Sequence, residues 1–220
     1  MSKQLFKLYP GMRTVFLNHF SYYRCKHLLK ELKSCDIYAD GLLFVYQLRF
    51  FSKDNLVPKK RYSFDFTSIA EEFLFHCKSN NIQMVFIGGT PDENASFIKI
   101  IQSRIGYTRV SGFNGYEEGI IDKIYTEYPN HSSTALIIGM GSPLQEELLL
   151  KLSSTDYYCL ITCGGFITQT ANSNGDYYPI IYDQLNLRWL YRLIRTNYVL
   201  KRLIFVYPLS IFRFAFKGFN

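Results

Sequence analysis

The stretch "ALIIGMGSPLQEELLLKL", residues 135–152, decides the fold class of this chain. Four apolar residues lead into a glycine turn, and an acidic, Leu-rich segment follows it. The turn predicts a helix with Ser142 as its cap, Pro143 at the first helical position and Gln145 at the third. A strand, a glycine turn and a helix in this order are typical of a parallel sheet.

The same order occurs in two further segments. "MVFIGGTPDENASFIKIIQSRI" predicts a strand, the pair Gly88-Gly89 and a helix with Thr90 as its cap in a capping box with Glu93. "YYCLITCGGFITQTA" predicts a strand that ends at Gly164-Gly165. Together the three segments predict an α/β fold: a Rossmann-like parallel sheet with helices on both faces.

The N-terminal third is less regular. "RTVFLNHF" predicts a strand that ends at Asn18, and "YYRCKHLLKELKSC" predicts a helix. "DIYADGLLFVYQLRFF" predicts a short strand, a turn at Asp40 and then a helix or a strand.

Charge is distributed unevenly along the 220 residues, which carry a net charge of +7. From Arg188 onward the chain has basic residues and no acidic one, while the preceding part is formally neutral. We therefore expect an α/β domain over residues 1–185 and a basic, amphipathic segment over residues 186–220. The five scattered cysteines indicate a reduced compartment, and we expect neither a secretory signal nor a membrane-spanning helix.

The C-terminal segment combines cations at helical spacing with bulky apolar residues. Such a helix suits the surface of an anionic bilayer, where each cation contributes about 1 kcal/mol. A core-packed helix and a nucleic-acid patch are the alternatives, but the aromatic and aliphatic content exceeds what phosphate contacts need. The predicted membrane residues are Arg188, Trp189, Arg192, Arg195, Lys201 and Arg202.

Glycine turns at the carboxyl ends of parallel strands let a backbone approach a phosphate, so three of them favour a ligand with a diphosphate. The alternative is that each pair only makes a tight turn. The spacing is not the dinucleotide fingerprint, because Gly141 is followed by Ser142-Pro143-Leu144. No Asp-x-Asp occurs in the sequence, which argues against a metal held on a nucleotide diphosphate by paired aspartates. Asp40 can serve as a general base, although Asp-Gly is also a common turn dipeptide.

The motifs together resemble the WecG/TagA/CpsF family of glycosyltransferases. "IGMGSPLQE", "CGGFITQTA" and "LNLRWLYRLI" carry the likeness, and "VFIGGTPDENA", "GFNGYEEG" and "YADG" match further turns of the family. The resemblance covers about residues 15–202.

The resemblance implies a bacterial enzyme that moves a sugar from a UDP-sugar to an undecaprenyl-diphosphate-linked sugar, peripherally at the cytoplasmic face of the inner membrane. It implies an inverting reaction without metal or other cofactor. Asp40 matches the family's proposed base, Gln145 an active-site glutamine, and Arg61 (or Lys60) a diphosphate-binding arginine. The residues matched to the nucleotide side are Asn18, Gly88, Gly89, Asn114, Tyr116, Gly139, Gly141, Ser142, Gln145, Gly164 and Gly165.

The sequence also departs from the family pattern. Phe16 stands where threonine is frequent, Tyr177 where arginine is usual, and Arg188 where glutamate is usual. These departures put the donor sugar in doubt. The rival interpretations are a methyltransferase that binds a nucleoside cofactor, a non-catalytic membrane-bound partner of another transferase, and, last, a nucleic-acid-binding module. A homodimer or an association with other pathway enzymes stays open.

Overall fold

The computed structural model describes residues 6, 8–51, 57, 60–173 and 202–219. Six strands form one sheet in the order β2-β1-β6-β5-β3-β4, and every neighbouring pair is parallel. The predicted parallel α/β fold is therefore confirmed. The strands are β1 (Met12–Leu17), β2 (Asp36–Ala39), β3 (Gln83–Gly88), β4 (Val110–Phe113), β5 (Thr134–Gly139) and β6 (Cys159–Thr162).

Helices cover both faces of the sheet, because successive side chains of each strand point to opposite sides. In β5, Leu136 and Ile138 enter one buried cluster, and Ala135 and Ile137 enter the other. Face A is covered by α1 (His19–Arg24), α2 (Leu29–Leu32), α3 (Leu42–Phe51), α6 (Ile120–Glu127), α7 (Leu144–Leu152) and α9 (Tyr207–Lys217). Face B is covered by α4 (Ala70–Ser79), α5 (Pro91–Ile105) and α8 (Phe166–Asn172).

The helix starts show which local predictions succeeded. Thr90 caps α5 in a reciprocal capping box with Glu93, as predicted. The prediction that Ser142 caps α7 is wrong, since α7 begins at Leu144. The Ser142 hydroxyl instead donates to Oε1 of buried Glu146 at 2.9 Å. This hydroxyl was expected to accept a hydrogen bond from a backbone N–H at the start of the helix.

The segment between β1 and β2 forms two short helices, α1 and α2, where one was predicted. The chain makes a turn between them, in which the Leu28 N–H donates to the Cys25 carbonyl at 2.8 Å. After β2, the segment that was predicted as a helix or a strand is helix α3. All five cysteines are buried and free, in agreement with their interpretation as small apolar residues.

The C-terminal helix α9 follows a π-helical turn, Arg202–Val206. Five of the six predicted membrane residues lie outside the described residues, as does the division at residue 186, so these stay predictions. No helix among the described residues has both the length and the apolar content needed to span a bilayer.

Candidate functional site

The predicted site residues lie at the carboxyl edge of the sheet. Because all six strands run in the same direction, the turns that follow them meet at this edge. The turns place the predicted residues as follows: Asn18 after β1, Asp40 after β2, Gly88 and Gly89 at the end of β3, Asn114 and Tyr116 after β4, Gly139, Gly141 and Ser142 at the end of β5, and Gly164 and Gly165 after β6.

A topological switch point lies between β3 and β5. The chain passes from β3 to β4 on one side and from β5 to β6 on the other, and α5 and α7 lie on opposite faces. Ligands of open α/β sheets bind in the crevice outside such a point.

Two of the predicted glycines have a packing role at this switch point. Gly88 pairs with Gly139, and a Cβ on Gly88 would lie 2.3 Å from the Gly139 carbonyl oxygen. A Cβ on Gly139 would lie 2.7 Å from the sulfur of Cys163. For these two glycines, the alternative of close packing therefore explains why no side chain is present.

Gly141 and Gly164 differ from the packed pair. Their φ angles are +77° and +57°, and none of the described residues lies within 4 Å of a Cβ built on either. Both residues need the left-handed backbone region that favours glycine, and both leave backbone uncovered. The turns after β5 and β6 are therefore where a ligand can lie against bare backbone. We call them the open turns.

Gln145 connects the two open turns. Its side chain is buried, and its Oε1 accepts a hydrogen bond from the Gly164 N–H at 3.2 Å. Its Nε2 donates to Glu146 Oε1 at 2.8 Å, and the Ser142 hydroxyl donates to the same oxygen. Both ends of the Gln145 amide thus bind protein groups.

Glu146 was missed by the sequence analysis. It is fully buried, and this burial raises the pKa of its carboxyl above the ordinary value. The sequence did hold a signal, since Ser142 and Glu146 are separated by one helical turn.

Asp40 and Arg61 lie at the same corner of the sheet. Ala39 forms a parallel bridge with Arg61, and the Tyr62 N–H donates to the Ala39 carbonyl at 2.9 Å. The Asp40 N–H donates to the Leu17 carbonyl at 2.7 Å, which fixes the start of the turn. The Asp40 side chain is partly exposed.

Arg61 is oriented by a buried acid. Its Nη2 donates to the Ser63 hydroxyl at 3.1 Å and lies 3.9 Å from Asp65 Oδ2. The Ser63 hydroxyl in turn donates to that carboxylate oxygen at 2.7 Å. Lys60, the alternative in the sequence, lies with its Nζ 5.2 Å from the Tyr62 ring centre. These contacts favour Arg61 as the positioned cation.

Two predicted amide side chains hold turns in place. The Asn18 side-chain oxygen accepts from the N–H groups of Phe20 and Ser21 and so caps α1. The Asn114 side-chain oxygen accepts from the Tyr116 N–H at 3.0 Å, while its Nδ2 donates to Glu117. The Tyr116 ring is 78% exposed, so an aromatic face is available at this edge.

Helix α9 packs against the helices that follow the β1 and β2 turns. Phe214 is buried among the rings of Tyr22, Phe44 and Phe219. His19 Nδ1 lies 3.3 Å from the Ser210 hydroxyl. The C-terminal helix is thereby docked beside the elements that carry Asn18 and Asp40.

An exposed apolar surface extends over α9, its preceding turn and α3. The sequence of these segments contains no acidic residue and includes Arg49, Arg213 and Lys217. We call it the apolar docking surface. Its exposed residues are Leu43, Tyr46, Phe50, Phe51, Ile204, Phe205, Leu209, Ile211, Phe212 and Phe216.

Within the described ranges, no group of three or more His, Cys, Asp or Glu side chains is arranged to hold a metal ion.

Phe16, which departs from the family pattern, lies in the core of the protein. Its ring is buried and stacks on Tyr38, with the ring centres 5.7 Å apart.

Comparison with known proteins agrees with the geometry. The chain is 35% identical over 207 residues to the UDP-Gal:alpha-D-GlcNAc-diphosphoundecaprenol beta-1,4-galactosyltransferase of Shigella boydii, covering 90% of this chain and 84% of that protein. Residues 5–220 match the sequence profile of the glycosyl transferase WecG/TagA/CpsF family. The sheet is parallel with its turns at one edge, and the family profile matches nearly the whole chain. We therefore conclude that this protein belongs to the WecG/TagA/CpsF family of glycosyltransferases.

Proposed function

We propose that this protein transfers a hexose, with galactose as the first candidate, from UDP to a sugar on a polyprenyl diphosphate. The observation that carries the proposal is the corner where Asp40 and Arg61 lie together at the carboxyl edge of the sheet. The name of the Shigella relative supports the donor and the acceptor, since it specifies UDP-Gal and GlcNAc-diphosphoundecaprenol.

The reaction that we propose is a single displacement. Asp40 accepts the proton of the acceptor hydroxyl while that oxygen attacks the anomeric carbon. The bond from this carbon to the diphosphate breaks, and UDP leaves with the electron pair. Attack from the opposite side inverts the anomeric centre. A beta linkage made from UDP-galactose, whose sugar is alpha-linked, has this stereochemistry and supports the proposal.

We place the leaving diphosphate at the open turns. No side chain of the described residues caps α7, and the positive end of its helix dipole points toward this edge. The Gln145 and Glu146 N–H groups donate to the Gly141 and Pro143 carbonyls, so the contribution of α7 in this proposal is its dipole. Gly141 and Gly164 leave backbone uncovered there. In this proposal the α7 dipole and Arg61 stabilise the developing charge in place of a metal ion, and Tyr116 offers a ring for the uracil base.

We further propose that the apolar docking surface rests on the cytoplasmic face of the inner membrane. Aromatic and aliphatic side chains beside cations suit the interface of an anionic bilayer. The surface includes α3, which begins two residues after Asp40, so docking would bring the base toward the lipid-linked acceptor. Residues 186–220 would act as the membrane segment, with Arg188, Trp189, Arg192, Arg195, Lys201 and Arg202 contributing.

The test is a donor panel with a GlcNAc-diphosphate-lipid acceptor, run with EDTA and with added Mg²⁺. We expect product from UDP-galactose or another UDP-hexose at equal rates in both conditions, with a beta linkage by NMR. Product that forms only with Mg²⁺, or that retains the alpha configuration, would contradict the mechanism. Affinity for S-adenosylmethionine without affinity for UDP would support the methyltransferase alternative.

A further inference from the structure

Glu146 is a buried acid that the proposed mechanism does not use. It lies in the first turn of α7 and is 0% exposed, while its neighbour Glu147 reaches the surface and lies 3.5 Å from His27 Nε2. Removing a carboxyl group from water is costly unless its polar atoms are hydrogen-bonded. Glu146 Oε2 has no partner at hydrogen-bond distance among the described residues, and the Cys25 thiol is the nearby group that interacts with this carboxyl. An apolar side chain, like those of Leu148 and Leu149 on the same helix, would cost less free energy to bury at this position.

The other oxygen of Glu146 holds a chain of hydrogen bonds. Oε1 accepts from the Ser142 hydroxyl at 2.9 Å and from Gln145 Nε2 at 2.8 Å. Gln145 Oε1 then accepts from the Gly164 N–H at 3.2 Å. These hydrogen bonds therefore connect the turn after β5 with the turn after β6, and Glu146 is part of the connection.

We propose that Glu146 is a positioning residue for the UDP-sugar donor, because it fixes the two open turns against each other through Ser142 and Gln145. The inference rests on the proposed function, which places the diphosphate at these turns. Glu146 itself touches no substrate in this scheme. Without its Oε1, the buried Gln145 Nε2 and the partly buried Ser142 hydroxyl lose their acceptor, and the spacing between Gly141 and Gly164 is no longer set.

The effect should appear in donor binding before it appears in folding. Glutamine keeps a carbonyl oxygen in the place of Oε1 and an N–H₂ group in the place of Oε2. It therefore imitates the protonated carboxyl, the form that burial favours by raising the pKa of Glu146. Leucine fills the space but accepts no hydrogen bond, and aspartate is one methylene too short to reach both donors.

The experiment uses the full chain and four substitutions: Glu146→Gln, Glu146→Leu, Glu146→Asp and, as a matched control on the same helix, Glu147→Leu. Calorimetry gives the Kd for UDP, initial rates give KM and kcat for UDP-galactose, and thermal unfolding without ligand reports the fold. We expect Glu146→Leu and Glu146→Asp to raise Kd and KM about five- to tenfold or more, which corresponds to one or two lost hydrogen bonds. Glu146→Gln and Glu147→Leu should stay within about twofold of the wild type.

Wild-type affinity for UDP in Glu146→Leu and Glu146→Asp would overturn the inference and leave the proposed function intact. A loss in Glu146→Gln as large as that in Glu146→Leu would also overturn it, because the isosteric amide preserves the hydrogen bonds. If Glu146→Leu does not fold, the shorter acid Glu146→Asp decides. A wild-type chain that does not bind UDP would contradict the proposed function itself.

Discussion

Ala39 and Arg61 form a parallel bridge, so the segment that follows α3 returns to lie beside the end of β2. The bridge places a cation next to the turn that carries Asp40. Asp65, which is buried, keeps the Arg61 guanidinium in place directly and through Ser63. In the proposed single displacement on a UDP-sugar, Asp40 would be the base and Arg61 the cation that binds the diphosphate.

Arg61→Gln should lower kcat/KM for transfer by about 10²-fold or more, because the charge that develops on the leaving diphosphate loses a hydrogen-bonded cation. Asp65→Asn should cause a smaller loss, since Arg61 remains but is less well oriented. Steady-state kinetics measure both. Arg109→Gln is the control, because Arg109 donates to the Asn81 carbonyl near the start of β3, at the opposite edge of the sheet. Equal losses in Arg61→Gln and Arg109→Gln would show that the effect is not specific to the site.

Phe214→Ala should destabilise the protein by about 3–5 kcal/mol, because it removes a buried ring from the contact between α9 and helices α1 and α3. Urea unfolding measures the change. Phe212→Ala on the same helix should change stability by less than about 0.5 kcal/mol, because this ring is 67% exposed. Similar effects of the two substitutions would contradict the packing of α9.

Lowering the pH should weaken the docking of α9 through His19. Burial lowers the pKa of His19 to about 4 from its ordinary value of 6.5. Between these values the unfolded chain binds a proton that the folded chain does not, so stability falls as the pH drops from 6.5 to 4. The loss of folding free energy through His19 amounts to about 3 kcal/mol. Chemical unfolding at pH 7 and pH 4 should show this extra loss in the wild type and not in His19→Gln. An equal pH dependence of both proteins would contradict the buried, neutral state of His19.

The double substitution Phe212→Ser with Phe216→Ser should weaken binding to anionic vesicles, because both rings belong to the apolar docking surface and are largely exposed. Co-sedimentation with phosphatidylglycerol vesicles measures the bound fraction, which we expect to fall several-fold. Phe75→Ser is the control, because Phe75 is an exposed ring on α4, on face B of the sheet. If the control loses as much binding as the double variant, the membrane does not contact face A in particular.

The sequence predicted the parallel architecture because β3, β5 and β6 are short apolar runs, each followed by a glycine turn. The sequence did not predict β4, whose residues are VSGF. It could not predict the strand order, which depends on packing between distant segments. Nor could it distinguish the glycines that close packing requires from the glycines of the open turns. Gly88 and Gly139 lack side chains because two strands approach each other closely, whereas Gly141 and Gly164 leave backbone uncovered. The sequence signal is the same in both cases, and the difference appears once neighbouring turns are brought together.

The places of the candidate residues in the fold were predicted more fully than their contacts. The residues expected at the nucleotide side lie on the turns of one edge, but Gln145 is buried and bonded to protein groups at both ends of its amide. The hydrogen bonds that Glu146 accepts and the absence of a Ser142 cap on α7 have a common cause. A buried carboxyl competes for a hydroxyl that local propensity assigns to the helix start, and burial is a tertiary property.

Comparing Asp40→Asn with the wild type tests the central claim most directly. Both full-length proteins receive labelled UDP-galactose and GlcNAc-diphosphate-lipid, and UDP affinity is measured on the same preparations. We predict transfer by the wild type, a loss of about 10²–10⁴-fold in Asp40→Asn, and unchanged UDP binding, because the amide cannot accept the acceptor's proton. Near-wild-type transfer by Asp40→Asn would contradict the assignment of the base, and UDP binding by the wild type without transfer to the lipid would contradict the proposed reaction.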